Sequence, residues 1–178
     1  MRDVSVPSLL LRPPSLSDER EVMAAQRELA GEGFDFMLAE DDQTWIEYLN
    51  YLDRCSRGVG LAPGRAPATM LLAVVDGEVV GRVHVRHALT PGLRVTGGHI
   101  GYGVRPQFRR RGYAAEMLRQ GLELLGTLGI EQALVTCDDD NEASIRTIES
   151  NGGVLEDKME LSEGVVTRHY WIDTRVEA

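Results

Sequence analysis

A strand, a turn rich in arginine and a helix are predicted between residues 99 and 118, and this unit constrains the fold most. Ile100, Tyr102 and Val104 alternate with glycines, which is typical of a pleated strand with one well-filled face. Pro106 ends the strand because proline has no N–H group to give to a neighbouring strand. After Gly112, apolar residues recur at helical spacing, namely Ala114, Leu118, Leu122 and Leu125.

The start of this helix is predicted to bind an anion. The first N–H groups of a helix have no intrahelical partner and lie at the positive end of the helix dipole. A glycine there lets a ligand oxygen approach the backbone closely. Arg109, Arg110 and Arg111 add positive charge at the same place, and Arg105 lies just before them. A pyrophosphate suits such a site, but an exposed basic turn with no ligand is the alternative interpretation.

The spacing of Arg109, Gly112 and Ala114 resembles a known cofactor signature. The pattern (Arg/Gln)-x-x-Gly-x-(Gly/Ala), after a strand and opening a helix, is typical of the GNAT superfamily of N-acyltransferases. In that family the backbone amides of the turn hold the pyrophosphate of acetyl-coenzyme A (acetyl-CoA). The resemblance implies the following cofactor-binding residues: Val104, Arg109, Arg110, Arg111, Gly112, Tyr113 and Ala114. The chain has neither G-x-x-x-x-G-K-[ST] nor G-x-G-x-x-G after a strand, so two rival phosphate motifs are excluded.

A second stretch, residues 134–153, is similar to the later cofactor motif of the same family. There, an Asn at a helix start and a small residue three positions on line the channel for pantetheine and phosphate. Asn141 and Ser144 occupy these positions here. Asn141 also suits a plain helix N-cap, and the two roles are compatible.

The resemblance covers roughly residues 8–174, which we interpret as one N-acetyltransferase domain with short extensions at 1–7 and 175–178. It implies an α/β fold: a GNAT-like central mixed, mostly antiparallel sheet of six to seven strands, flanked by about four helices. The sequence pattern predicts strands at 9–11, 69–75, 78–87, 99–104, 131–136, 154–161 and 165–173. Helices are predicted from about 18 to 29, after a cap at Asp41 or Asp42, from 113 to 128, and from Asn141 to Asn151. Residues 57–68, interpreted as a flap near the site, and 89–98 are predicted to be loops.

Composition and charge exclude several classes of protein. The formal net charge is −9, so nucleic acid is not expected as a partner, because binding phosphates needs a basic surface. No apolar run approaches ~18 residues and residues 1–7 lack the apolar core of a signal peptide, so no membrane span or secretion is expected. Cys55 and Cys137 have neither the number for a disulfide framework nor the spacing for a metal site. A cytoplasmic protein without a metal is expected.

Acetyl transfer to an amine needs a neutral amine, a stabilised carbonyl oxygen and a thiolate that leaves. The resemblance implies that N–H groups beside Val104 polarise the carbonyl. Many family members place a tyrosine seven residues after the motif's Asn, as the proton donor to the thiolate, but Ile148 stands there in this chain. The donor is therefore left open among Tyr102, Cys137, Ser144 and water. An unprotonated thiolate is also an option, since an aliphatic thiol has a pKa near ~8.5.

His99 is the first candidate for the base that deprotonates the amine, because it begins the central strand and histidine titrates near neutrality. His84 and His87, on the preceding strand, are weaker candidates. A structural role is the alternative for each of these histidines. The segment 35–53 carries six acidic residues and neither Lys nor Arg, so it is either a solvated face or a rim that attracts a cationic amine.

These features predict an N-acetyltransferase that moves an acetyl group from acetyl-CoA to a primary amine by direct attack in a ternary complex. His99 and Tyr102 are its candidate catalytic residues. The second hypothesis is a non-catalytic acyl-CoA-binding sensor or accessory protein, because the usual tyrosine and a convincing base are missing. The sequence does not identify the acceptor, which is expected to be the amine of a small molecule or a peptide. It does not identify the length of the acyl group either. An exposed final strand would allow two copies to pair as a homodimer.

Overall fold

Residues 8–175 are described by a computed structural model, and within them seven strands form two antiparallel sheets. The first sheet has the strand order β1-β2-β3-β4 and the second has the order β5-β7-β6. The strands are β1 (Leu10–Arg12), β2 (Ala68–Val75), β3 (Glu78–Arg86), β4 (Ile100–Val104), β5 (Gln132–Asp138), β6 (Val154–Ser162) and β7 (Val165–Asp173). The predicted extension 1–7 lies outside the described residues, as do residues 176–178 of the predicted extension 175–178.

The same range contains five α-helices. They are α1 (Glu19–Ala30), α2 (Trp45–Arg57), α3 (Pro91–Val95), α4 (Tyr113–Thr127) and α5 (Glu142–Ser150). The predicted α/β class with six to seven strands is confirmed, and four of the helices lie where the sequence predicts them. The predicted single sheet is divided into two, which is the main difference.

His99 lies where the two sheets meet. Its backbone N–H donates to the Leu134 carbonyl over 2.7 Å, and its Nδ1 accepts the Leu134 N–H over 2.9 Å. The N–H of Gly97 adds a bond of 3.0 Å to the hydroxyl of Thr136. Beyond this junction, no ladder joins β4 to β5 within residues 8–175. The strands are therefore held together at one end, and a gap opens between them towards Val104.

Helices cover both faces of the first sheet, as the alternation along β2 requires. Leu72 and Val74 are buried in a cluster with α1 and α2, whereas Ala73 and Val75 are buried in a cluster with α4. Met117 of α4 is completely buried there. This packing fixes the start of α4 against the end of β4.

Two local predictions were wrong. The cap of α2 is Thr44, not Asp41 or Asp42, because Thr44 and Glu47 form a reciprocal capping box. The predicted loop 89–98 contains the short helix α3, which is capped by the Thr90 hydroxyl and begins with Pro91. Five residues are too few for a helical period to show in the sequence.

The strand predicted to pair across a dimer is not at an edge. The final strand, β7, lies between β5 and β6, and β6 is the exposed edge strand of the second sheet. A homodimer therefore stays a prediction. None of the helices in residues 8–175 has the length and apolar character needed to cross a membrane.

Candidate functional site

A cavity of about 670 Å³ lies in the gap between β4 and β5. It is bounded by β4, the arginine turn, the first residues of α4 and the start of α5. Most of the site residues predicted from the sequence line it: Tyr102, Val104, Arg109, Arg110, Gly112, Tyr113, Ala114, Asn141 and Ser144. Arg111 and His99 do not line it.

The turn before α4 depends on two left-handed residues. Arg110 has a φ of 62° and Gly112 has a φ of 80°, and together they direct the chain from β4 into α4. Gly112 is the N-cap, and no side chain accepts a hydrogen bond from the first N–H groups of the helix. A Cβ added at Gly112 would meet no atom within 4 Å. The helix start therefore presents free N–H groups and open space to the cavity.

The four arginines of this stretch have different roles. Arg110 lines the cavity and makes no side-chain hydrogen bond within residues 8–175. Arg109 lines it too, but its guanidinium donates to Glu32 over 3.1 and 2.5 Å and to the Val104 carbonyl over 3.1 Å. Its hydrogen bonds hold the pKa of the Glu32 carboxyl below its usual value. Arg109 thus ties the turn to the end of α1.

Arg105 and Arg111 lie away from the cavity, contrary to the sequence-based grouping. Arg105 is buried and donates to Glu28 over 2.8 and 2.7 Å, so its charge is paired with α1. Arg111 borders a separate surface groove and donates to the Gln107 carbonyl over 3.3 Å. Side chains around a tight turn point in different directions, and of these four arginines Arg109 and Arg110 line the cavity.

Asn141 caps α5, since its side-chain oxygen accepts the Ser144 N–H over 3.1 Å. The hydroxyl of Ser144 lies 2.9 Å from that of Tyr102. Burial raises the pKa of Tyr102 to about 12, so its hydroxyl is protonated at every physiological pH. The structure thus brings together Tyr102 from the first predicted motif and Ser144 from the second.

A second cavity, of about 280 Å³, begins at this hydroxyl pair. It shares five lining residues with the first: Phe34, Tyr102, Asp138, Asn141 and Ser144. A ligand in the first cavity and a ligand in the second would therefore meet beside Tyr102. Two connected compartments with a polar junction are what a group transfer between two substrates requires.

The open edge of β4 supplies backbone donors to the junction. Arg105 N–H bonds to Val80 on the β3 side, and alternate residues of an antiparallel strand point the same way. The N–H groups of Tyr102 and Val104 therefore point away from β3, towards the gap. Such fixed dipoles can stabilise a negative oxygen.

The geometry does not support His99 as the base. It is buried at the sheet junction, outside both cavities, and its Nδ1 is occupied by the Leu134 N–H. Burial lowers the pKa of His99 to about 4. His87 bonds through Nε2 to the Thr69 hydroxyl over 2.8 Å, far from Tyr102 in the sheet. His84 lines a third cavity, described below.

Sequence reasoning missed three residues that line these two cavities. Phe34 comes from the loop after α1, and its ring approaches β4 so closely that a Cβ at Gly103 would lie 2.5 Å from it. Asp138 ends β5 and borders both cavities, and Thr147 borders the larger one. Asp138 and Thr147 flank Asn141 and Ser144 in the chain, so the second motif contained a signal for them. Nothing local marks Phe34.

The acidic segment 35–53 is used largely in local contacts. Asp35 accepts the Leu38 N–H over 3.0 Å, Glu47 completes the cap of α2, and Asp53 pairs with Arg57. Within residues 8–175, no group of three His, Cys, Asp or Glu side chains is placed to hold a metal ion.

The fold and the paired cavities define a protein that can hold an extended anionic ligand against a second, smaller one. A profile of the acetyltransferase (GNAT) domain matches residues 8–154, which is most of the chain, so the chain belongs to the GNAT acetyltransferase family. A comparison with curated proteins finds no match.

Solved structures with the same fold include several acetyltransferases. One is RimL, a ribosomal L7/L12 alpha-N-protein acetyltransferase in complex with coenzyme A: it is 20% identical, the alignment covers 97% of this chain and 98% of that one, and the TM-score is 0.68. An acetyl transferase from Salmonella typhimurium that modifies the N-terminal serine of L7/L12 is 19% identical, with 93% and 95% covered and a TM-score of 0.66. The yncA protein of Salmonella typhimurium, solved with acetyl-CoA, is 15% identical, with 96% of each chain covered and a TM-score of 0.64. At these identities the likeness concerns the fold alone.

Proposed function

We propose that this protein transfers an acetyl group from acetyl-CoA to an amine by direct attack in a ternary complex. The observation that carries the proposal is the large cavity that runs from the N-terminus of α4 to the Tyr102–Ser144 pair, where a second cavity begins. Membership of the GNAT family and the coenzyme A or acetyl-CoA in two of the solved relatives support it.

The pyrophosphate of acetyl-CoA would bind at the start of α4. The N–H groups of Gly112, Tyr113 and Ala114 are free of side-chain caps and have the helix dipole behind them. Arg110 supplies a charge with no protein partner within residues 8–175. Arg109 is already neutralised by Glu32, so its contribution is to hold the turn rather than to add net charge.

The pantetheine arm would follow the gap between β4 and β5 and bring the thioester to Tyr102. There the amine nitrogen attacks the carbonyl carbon, the C–N bond forms and the C–S bond breaks. The oxygen that becomes negative meets the outward N–H groups of β4, and Val104 is the residue that the family resemblance implies. The nitrogen then gives its extra proton to water and the thiolate takes one up from water, so the products are the acetylated amine and the thiol of coenzyme A.

Tyr102 would stabilise the leaving thiolate by a hydrogen bond rather than by full proton transfer. Its pKa is about 12, whereas that of an aliphatic thiol is near ~8.5, so complete transfer would be uphill by about 5 kcal/mol. A hydrogen bond to a charged acceptor has no such cost and is stronger than one between neutral groups. Burial raises the pKa of Cys137 to about 11 and keeps its thiol neutral, but an S–H group is a weak donor and Cys137 borders the second cavity, not the first.

Asp138 would receive the amine. Asp138 borders both cavities at their junction, and its carboxylate would attract an ammonium group, which loses its proton to water before attack. With the described histidines outside the junction, the rate should follow the fraction of neutral amine in solution. The second cavity and its acidic residue are difficult to explain in a sensor that only binds acyl-CoA.

Replacing Gly112 with Ala tests the cofactor site. A Cβ there would occupy the space that a phosphate oxygen needs, so the affinity for coenzyme A should fall at least ~10-fold, or ~1.4 kcal/mol. Gly129→Ala is the matched control, because Gly129 also has a φ of 80° and open space around its Cβ position but lies after the other end of α4. Both variants should lose about 1 kcal/mol of stability from the left-handed backbone. Calorimetric titration and urea unfolding give the two quantities.

Equal weakening of binding in both variants would show that Gly112 acts through the fold alone. The wild-type enzyme should also gain thermal stability from acetyl-CoA and should release coenzyme A thiol when amines are added. A protein that binds acetyl-CoA but releases no thiol with any amine would support the sensor hypothesis instead.

A further inference from the structure

A third cavity, of about 430 Å³, adjoins the second on the side away from the large one. The two share Leu38, Arg86 and Thr96 in their walls, so they lie side by side. The wall of the third cavity comes from α2, the loop 58–67, the strands β2 and β3, and α3. Apolar side chains dominate it, including Leu52, Leu61, Met70 and Leu93.

Arginine side chains supply most of the charge around the second and third cavities. Arg82 and Arg86 border the second cavity, and Arg65 and Arg86 border the third. Within residues 8–175, no Asp or Glu lines the third cavity, and Asp138 is the one acidic residue of the second. This is unexpected in a chain with a net charge of −9.

Arg82 and Arg86 are largely buried and have no acidic partner among the described residues. Arg82 is 4% exposed and donates only to the backbone carbonyls of Phe36 and Asp35. Arg86 donates through Nη1 to Gly97 and Gly98. Burial lowers the pKa of both guanidiniums. A buried charge without a counter-charge is costly, so a ligand that supplies one would be bound strongly.

The free nitrogens of these arginines converge on one point. Nη1 of Arg82 and Nη2 of Arg86 each lie 3.5 Å from the position that a Cβ would have at Gly101. Neither nitrogen donates a hydrogen bond to the described residues, because the bonds of Arg82 use Nε and Nη2 and those of Arg86 use Nη1. Two guanidinium groups that face the same space suit one carboxylate.

A buried polar atom of His84 is also unused. Its Nδ1 is buried and has no hydrogen-bond partner within the described residues, and His84 lines the third cavity. Buried polar atoms are almost always satisfied, so an exception beside a cavity indicates a missing ligand or water. Burial and the nearby Arg86, Arg82 and Arg65 lower the pKa of His84 to about 3, so the ring is neutral.

We infer that the acceptor is a small amino acid-like molecule: its amine lies at Asp138, its carboxylate between Arg82 and Arg86, and its apolar side chain in the third cavity. This inference rests on the proposed function, because it names the acceptor of the same transfer. A peptide N-terminus fits less well, since an uncharged amide replaces the carboxylate beside its amine.

Matched pairs of amines test the inference. L-leucine and L-leucinamide, and L-methionine and L-methioninamide, differ in the carboxylate alone, and the rate of thiol release gives kcat/KM for each. Rates are compared for the neutral amine, because the amides have lower amine pKa values. The acids should be preferred at least ~10-fold, mainly through KM, as expected for one charged contact.

Substitutions of Arg86 test whether this residue causes the preference for acids over amides. Arg86→Met should reduce the preference for the acids to within about threefold, mainly by lowering kcat/KM for the acids, and Arg86→Lys should restore part of it. Arg119→Met, on the exposed face of α4, is the control and should leave the preference as it is in the wild type. Circular dichroism and the acetyl-CoA affinity report whether each variant is folded.

Equal rates for acid and amide, or a preference for the amide, would overturn the inference while leaving acetyl transfer established. The same holds if only amines without a carboxylate are acetylated, or if Arg86→Met keeps the preference. If no amine of any class releases thiol, the proposed function fails and the inference fails with it.

Discussion

Replacing Tyr102 with Phe is expected to lower kcat about 10²-fold, and by a similar factor from about pH 6 to about pH 10. The hydroxyl is a side-chain donor at the junction of the two cavities, and loss of one preorganised donor to a developing charge typically costs 10²–10³-fold. The factor should be constant because a hydroxyl with a pKa of about 12 stays protonated throughout this range. The pH profile of kcat for both proteins is the measurement.

Ser144→Ala provides the matched control. Ser144 lies 2.9 Å from the Tyr102 hydroxyl and orients it, so its removal should cost less, and the double variant should resemble Tyr102→Phe alone. If kcat of Tyr102→Phe stays within threefold of the wild type, the thiolate leaves without help from this residue. If the loss grows steeply towards high pH instead, Tyr102 is a true proton donor.

The predictions that succeeded are those that depend on neighbouring residues in the chain. The glycine alternation of β4, the proline after it and the start of α4 lie within twenty residues, and local sterics determine all three. The same is true of the Asn141 cap. Most of the cofactor-binding residues that the resemblance predicts therefore line one cavity.

The features that could not be predicted from the sequence depend on contacts between residues that lie far apart in the chain. The run of arginines looks uniform, but Glu28 and Glu32 of the α1 region neutralise Arg105 and Arg109, and no local pattern predicts these partners. Likewise, Phe34 reaches the junction from a loop with no motif. The third cavity is lined by residues of α2, β2, β3 and α3, which belong to neither motif, so no pattern in the sequence was a reason to consider the arginines around it together.

Ile148 shows that a departure from a motif can have a structural reason. Its side chain is completely buried in the main core cluster, where a tyrosine would have to displace neighbours. In the proposed mechanism the Tyr102 hydroxyl, on β4, donates a hydrogen bond to the leaving thiolate in place of that tyrosine.

His99 is expected to act on stability rather than on catalysis. Its Nδ1 accepts the Leu134 N–H, which would be left unsatisfied in the interior by His99→Ala. A buried donor without a partner costs about 1–3 kcal/mol, and the lost ring adds a small cavity. We expect about 3 kcal/mol of destabilisation at pH 7 from urea unfolding. His87→Ala should cost less, because that residue is only partly buried and bonds to the hydroxyl of Thr69.

The contribution of His99 to the stability of the fold depends on pH. The pKa of His99 is about 4 in the folded protein and about 6.5 in an unfolded chain, so the unfolded state takes up a proton first as the pH falls. Its contribution to stability is complete above about pH 6.5 and is lost between there and pH 4, by up to about 3 kcal/mol. His84, with a pKa of about 3, acts in the same direction.

The variant His99→Asn separates the hydrogen bond from the titration. The Asn oxygen can accept the Leu134 N–H as Nδ1 does, so stability at pH 7 should stay within about 1 kcal/mol of the wild type. Asn does not titrate, so the loss of stability from pH 6.5 to pH 4 should shrink in this variant. At temperatures where each variant is folded, kcat/KM should remain within about threefold of the wild type, because His99 lies outside the two cavities where transfer is proposed. The opposite result would be a stable His99→Asn protein whose kcat/KM falls about 10²-fold and whose pH profile no longer shows an ionisation near pH 7. That result would identify His99 as the base.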